Sequence, residues 1–201
     1  FLDYEILELF FFFFSPRKDC KAKSKELIGK FGSLEGVFNA PKEKLLEIED
    51  MGNASYILIK LFKDIQKYIY KEDKLRGRKI SSTKELIEYL NYDMANLQVE
   101  VFKIIFLDTQ NVFINEKTIV VGTIDKSYIY PRELLKEIFE HNAKSVIFAH
   151  NHPSGNLNPS KADINFTNSM RNLLKELEIN LLDHVIIGTS GHYSFLEENL
   201  L

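Results

Sequence analysis

Apolar positions along the chain recur with a helical period in the first third and with a shorter, strand-like period after the middle. Within Ala54 to Tyr70, Ile57, Leu58, Leu61, Ile65 and Ile69 fall at helical spacing and predict one amphipathic helix. Lys25 to Gly32 reads as a helix closed by its glycine, and Pro41 to Ile48 as another with proline near its first turn. The five consecutive Phe residues from Phe10 to Phe14 predict an apolar helix ended by Pro16, with an interfacial anchor as the alternative. That run is too short to span a bilayer, and Asp3, Glu5 and Glu8 interrupt the stretch before it. Residues 1–72 therefore read as a small all-helical unit.

The polar run Lys71 to Lys79, with Gly77 inside it, marks a boundary that divides the chain into residues 1–78 and 79–201. Ser82-Thr83-Lys84-Glu85 has capping-box form and opens a helix through Leu90. After Asn96 the pattern shifts: Leu97 to Leu107 is strand-like, Asp108 to Asn111 is a turn, and Val112 to Ile124 supplies one or two further strands. Pro131 to His141 predicts a helix, Ser145 to Ala149 a short buried strand, Ser160 to Leu177 a helix, and Leu181 to Ile187 a strand followed by His192 to Phe195. Strands alternating with helices over this length predict one α/β sandwich.

Composition narrows the class. The chain has 201 residues, 45% of them hydrophobic, which is enough for a core. Its single cysteine, Cys20, forbids an internal disulfide framework and a cysteine-rich zinc cluster, and fits a reducing, cytoplasmic setting. Because the chain begins at Phe1 and not at Met, a preceding segment stays open. The net charge of −3 hides a split: residues 1–80 carry 16 basic against 13 acidic groups, and all five histidines lie beyond them. Chemistry is therefore to be sought in the second part.

The informative stretch runs from His150 to Asp163. On extended backbone, His150 and His152 point to the same side and can present two ring nitrogens to one cation. Two prolines and a glycine let the following loop turn sharply, and a helix starting at Ser160 can bring the Asp163 carboxylate back beside them. Two imidazoles, one carboxylate and an open position suit a catalytic Zn²⁺. Simpler readings stand beside this one. A lone His-x-His is commonly a surface or hydrogen-bonded pair, and Ser160 and Asp163 can form an ordinary capping box, a role that Asp163 could not easily combine with metal binding. Glu100 alternates onto the face of Phe102, Ile104 and Phe106; a carboxylate there is costly unless paired, metal-bound or held for proton transfer, or unless it reaches solvent at the strand's start. His184, in an apolar run, reads as a satisfied core histidine or one that orients a ligand, perched beside a neighbouring carboxylate; His141 reads as a helix-terminal residue.

Glu100 followed by His150-Asn151-His152-Pro153 and then Ser160 and Asp163 resembles the JAMM (MPN+) metallohydrolase motif at every fixed position. His150 to Gly155 with Pro159-Ser160, together with Pro131-Arg132-Glu133 and Leu182 to Gly188, is similar to the RadC branch of that family over residues 81–201. The resemblance implies a JAMM/MPN-type sandwich with a central mixed sheet, preceded by a small all-α domain. It implies one Zn²⁺ per chain held by His150, His152 and Asp163, with Glu100 as acid/base and Ser160 stabilising the oxyanion. Elsewhere in JAMM the substrates are peptide or isopeptide bonds. The other reading is a DNA-associated repair or recombination factor whose metal site is structural or cuts phosphodiesters.

Residues 1–72 also resemble the helix-hairpin-helix region of RadC proteins, through Glu26-Leu27, Phe31 to Leu34 and Leu45 to Ile48. The phosphate-binding turn departs from that pattern: Asp50-Met51-Gly52 keeps only the second glycine, and Glu49 and Asp50 repel phosphate. Basic residues cluster on both sides, Arg17 to Lys25 and Lys60 to Lys79. They predict either a solvated face or a weak, salt-dependent grip on DNA through residues 15–79. No membrane partner is expected.

Overall fold

A computed structural model describes residues 1–14, 19–80, 83–122 and 129–201. Pro16, Arg17, Lys18, the capping serine Ser82 and Ile124 lie outside the described residues. The chain forms two compact units, Phe1–Tyr68 and Ile69–Leu201.

The first unit is helical: α1 (Asp3–Phe12), α2 (Lys21–Phe31), α3 (Leu34–Asn39), α4 (Lys42–Leu46) and the start of α5 (Asn53–Lys74), which runs on into the second unit. Its core gathers Leu7, Phe11, Leu27, Val37, Leu45, Ile48 and Ile59. Gly32 ends α2 at φ +83°, a left-handed conformation that a side chain disfavours. α5 extends the predicted helix through Lys74, so the first half of the polar run is helical; Lys71 lies 3.5 Å from the buried Glu116, and Glu72–Arg76 and Lys74–Glu88 form further pairs. No described helix is long and apolar enough to cross a membrane.

The second unit is built from α6 (Thr83–Met94), β1 (Val101–Leu107), β2 (Phe113–Val121), α7 (Pro131–Glu140), β3 (Ser145–Asn151), α8 (Lys161–Glu176), β4 (Asn180–Gly188) and β5 (Gly191–Ser194). The sheet order is β2-β1-β3-β4-β5. β3 and β4 are parallel, joined by α8, and the other neighbours are antiparallel, so the sheet is mixed. Helices cover both faces. Val101, Ile105 and Leu107 pack with Leu86, Leu90 and Met94 of α6, whereas Phe102, Ile104 and Phe106 pack with Leu134 and Ile138 of α7 and Met170 and Leu174 of α8. Coverage on both sides explains why β1 and β3 read as nearly continuous apolar runs.

β1 begins at Val101, later than the apolar pattern from Leu97 suggests. The Leu97 amide donates instead to the Met94 carbonyl and closes the end of α6. Lys103 is the polar exception inside β1. Its ammonium is buried against Asp93 of α6 and lies 3.5 Å from Glu116 of β2. The Tyr89 hydroxyl donates to Glu116 at 2.5 Å; burial first, then the neighbouring carboxylates, push its pKa well up.

Candidate metal centre

The centre forms where β3 ends, beside the start of β1 and the first turn of α8. His150 is wholly buried in β3, opposite Phe102 on β1 and Ile186 on β4. His152 follows directly, its amide donating to the Ile187 carbonyl. The two rings converge, with their Nε2 atoms 3.0 Å apart. The turn after them is closed by the Gly155 amide donating to the His152 carbonyl, with Gly155 at φ +77°. It brings the Asn156 carbonyl 2.6 Å from His152 Nδ1. A carbonyl can only accept, so Nδ1 carries the ring hydrogen and Nε2 of His152 presents a lone pair.

Asp163 reaches the same point from α8. Its Oδ1 lies 3.3 Å from His150 Nε2, and Oδ2 lies 3.9 Å from His152 Nε2. Four ligands held tetrahedrally at about 2.0 to 2.1 Å stand roughly 3.3 Å from one another; the His150–His152 and His150–Asp163 Oδ1 spacings match that separation, and the His152–Asp163 Oδ2 spacing is wider. Ser160 caps α8 as a capping box: its backbone and hydroxyl both donate to Asp163 Oδ2, at 2.8 and 2.6 Å, and its Oγ accepts from the Asp163 amide. The cap engages Oδ2, whereas Oδ1 faces His150, so capping leaves one oxygen of the carboxylate directed at a histidine. The aspartate is almost fully buried; Ser160 is exposed.

Glu100 sits immediately before β1 rather than within it, and is half-buried. One carboxylate oxygen and one ring nitrogen each from His150 and His152 lie within 4.8 Å of one another. All five sequence-predicted residues therefore meet at this place. Two residues that the sequence reading passed over help to build it. Asn151, buried between the two histidines, accepts from the Val101 amide at 2.8 Å and donates to the Val99 carbonyl at 3.1 Å, so its carboxamide grips the backbone on both sides of Glu100. Thr167, one turn after Asp163, bonds to His184 at 2.6 Å. The available signal was position: Asn151 is the residue between the histidines, and Thr167 shares a helix face with Ser160 and Asp163.

His184 is buried and touches His150, Nε2 to Nδ1, at 2.8 Å. The carboxylate next to it in sequence turns away: Asp183 accepts from Ser194, Leu196 and the His184 amide. Burial raises the Asp183 pKa, partly opposed by those hydrogen bonds. Phe102, Phe148 and Phe195 surround the His184 ring. His141 caps α7 and stacks on Phe106 at 4.1 Å. In the first unit Lys23 and Lys25 lie over the rings of Phe11 and Tyr4, and Lys30 pairs with Glu47.

Comparison with known proteins places this geometry in a family context. Residues 80–200 match the family described as RadC-like JAB domain. A UPF0758 protein of Fusobacterium nucleatum subsp. nucleatum is 42% identical, covering 100% of this chain and 90% of the relative. A UPF0758 protein of Ruegeria pomeroyi is 37% identical, covering 99% of this chain and 89% of its own. One from Rhodobacter capsulatus is 36% identical, over 99% of this chain and 93% of its own.

Proposed function

The chain belongs to the RadC family, with a JAMM-like metallohydrolase fold in its second unit, and from that premise we propose that it is a zinc-dependent hydrolase of amide or peptide bonds. One observation carries this reading: two imidazole nitrogens 3.0 Å apart converge with the Asp163 carboxylate, its Oδ1 3.3 Å from His150 and its Oδ2 3.9 Å from His152, and a further carboxylate, Glu100, lies beside them. His150, His152 and Asp163 would hold the ion. A structural zinc site is usually closed by four protein ligands, whereas three leave a place for substrate chemistry. When bound, zinc supplies Lewis acidity and brings the pKa of water toward about 7.

The remaining work falls to the protein. Glu100 accepts a proton from the attacking water and returns it to the departing nitrogen, and its half-exposed position leaves it open to both. Ser160 donates its hydroxyl hydrogen to the developing oxyanion, a kind of contact worth about 3 kcal/mol in other enzymes. That hydrogen rests on Asp163 Oδ2 and must swing away; the Ser160 backbone amide keeps that oxygen bonded at 2.8 Å while it does so.

The test pairs metal analysis with parallel assays on peptide, isopeptide and DNA substrates. Glu100→Gln should keep wild-type zinc content and lose hydrolysis, and His152→Ala should lose zinc. Full hydrolysis in Glu100→Gln, or equal metal in His152→Ala, would refute the assignment. Glu100-dependent cutting of DNA alone would move it to phosphodiesters.

A further inference from the structure

A histidine ligates through a ring nitrogen that carries no hydrogen, and a neutral imidazole has one such nitrogen and one N–H. For His152 the Asn156 carbonyl decides which is which. For His150 the neighbour is another histidine, which could either donate or accept, so the choice is passed on to whatever holds His184.

That partner is Thr167. Its Oγ1 lies 2.7 Å from the Asp163 backbone carbonyl and 2.6 Å from His184 Nδ1. A carbonyl oxygen only accepts, so the single hydroxyl hydrogen is committed to Asp163, and Oγ1 turns a lone pair to His184. His184 Nδ1 must then donate, which leaves its Nε2 as the acceptor 2.8 Å from His150 Nδ1. His150 Nδ1 donates in turn, and Nε2 of His150 is left bare, facing His152 Nε2 and Asp163 Oδ1. Reversal of any one bond would place a hydrogen on His150 Nε2, where a cation is to bind. Thr167 and His184 are both wholly buried, with aromatic rings packed about His184, so water does not compete for these bonds.

We propose that Thr167 and His184 are positioning residues that fix the tautomer of His150, a directional chain that starts at the backbone of one ligand, Asp163, and ends at the ring of another. This rests on the metal-site reading for its purpose, though not for its geometry. It also couples the two ligands: α8 delivers the Asp163 side chain directly and polarises His150 through the Asp163 carbonyl.

The relay can be tested without a substrate. Long-range ¹H–¹⁵N correlation spectra of the full-length, metal-free protein should show His150 and His184 both as Nδ1–H tautomers. Thr167→Val keeps the shape and removes the acceptor, so zinc affinity in a chelator-competition titration should fall by about tenfold or more, the range seen when such supporting partners are removed elsewhere. Thr167→Ser should restore it. A purely structural role would lower the thermal stability of Thr167→Val and leave zinc affinity unchanged, and that result overturns the proposal. So does an Nε2–H signal at His150 in the wild type, which decides the matter even if Thr167→Val does not fold. A wild-type chain that binds no zinc yet shows both Nδ1–H tautomers would refute the metal-site reading and leave the relay standing.

Discussion

Replacing Asn151 by Leu removes the carboxamide that grips both sides of Glu100 while keeping a side chain of similar size. The cost follows from the two bonds lost. The Val101 amide opens β1 on a residue only 5% exposed, and a stranded buried donor costs about 1–3 kcal/mol. The Val99 carbonyl belongs to a residue 46% exposed and can turn to water, so its share is about 1 kcal/mol. The expected loss is therefore about 2–4 kcal/mol, which a domain of ordinary stability survives folded. Urea unfolding followed by circular dichroism measures it, since the chain has no tryptophan to report by fluorescence. Amide exchange locates it: the Val101 amide should lose protection in Asn151→Leu and keep it in Asn151→Asp, which retains the accepting oxygen. Glu100 then drifts, and a displacement of about 1 Å costs roughly 100-fold in rate at catalytic centres. Unchanged Val101 exchange, with stability within about 0.5 kcal/mol of wild type, would refute the reasoning.

Two further outcomes are expected. Lys103→Met leaves Asp93 and Glu116 buried without their central cation, and should destabilise the second unit by about 3–5 kcal/mol in urea unfolding; a loss below about 1 kcal/mol would mean that Lys71, also 3.5 Å from Glu116, suffices. Asp183, its pKa raised by burial above the ordinary 3.8, holds its proton more tightly folded than unfolded. Its contribution is complete below that ordinary value and is lost as pH rises through the raised one. The stability of Asp183→Asn relative to wild type should therefore improve as pH climbs through that window, and a pH-independent difference between the two unfolding curves would contradict it.

Much of this molecule is readable from its pattern because both faces of the sheet are covered: β3 and β4 show as compact apolar runs, and the helices show their period. The start of β1 is not legible in the same way, because Leu97 and Val99 alternate like a strand while the backbone bond that ends α6 lies outside any periodicity. The meeting of Glu100, His150, His152 and Asp163 was legible only through the composite motif they resemble, because a His-x-His pair or a Ser-x-x-Asp cap has ordinary uses when taken alone. Asn151 and Thr167 were not, because amides and hydroxyls are common, and what distinguishes these two is a partner 50 residues away in one case and 17 in the other.

Those separations bear on how the protein comes to be made. Val101, next to Glu100, is bound to Asn151 of the histidine segment across 50 residues of chain, and His150 meets His184 across 34 more. Each closure costs chain entropy before it returns any contact, so such pairings belong to the slower part of folding. During synthesis His150, His152 and Asp163 emerge before His184, and until β4 docks beside β3 nothing dictates which nitrogen of His150 carries its hydrogen. Under the proposed metal-site reading, capture of an ion with full affinity would wait for the last long strand, and metal uptake would mark a finished domain.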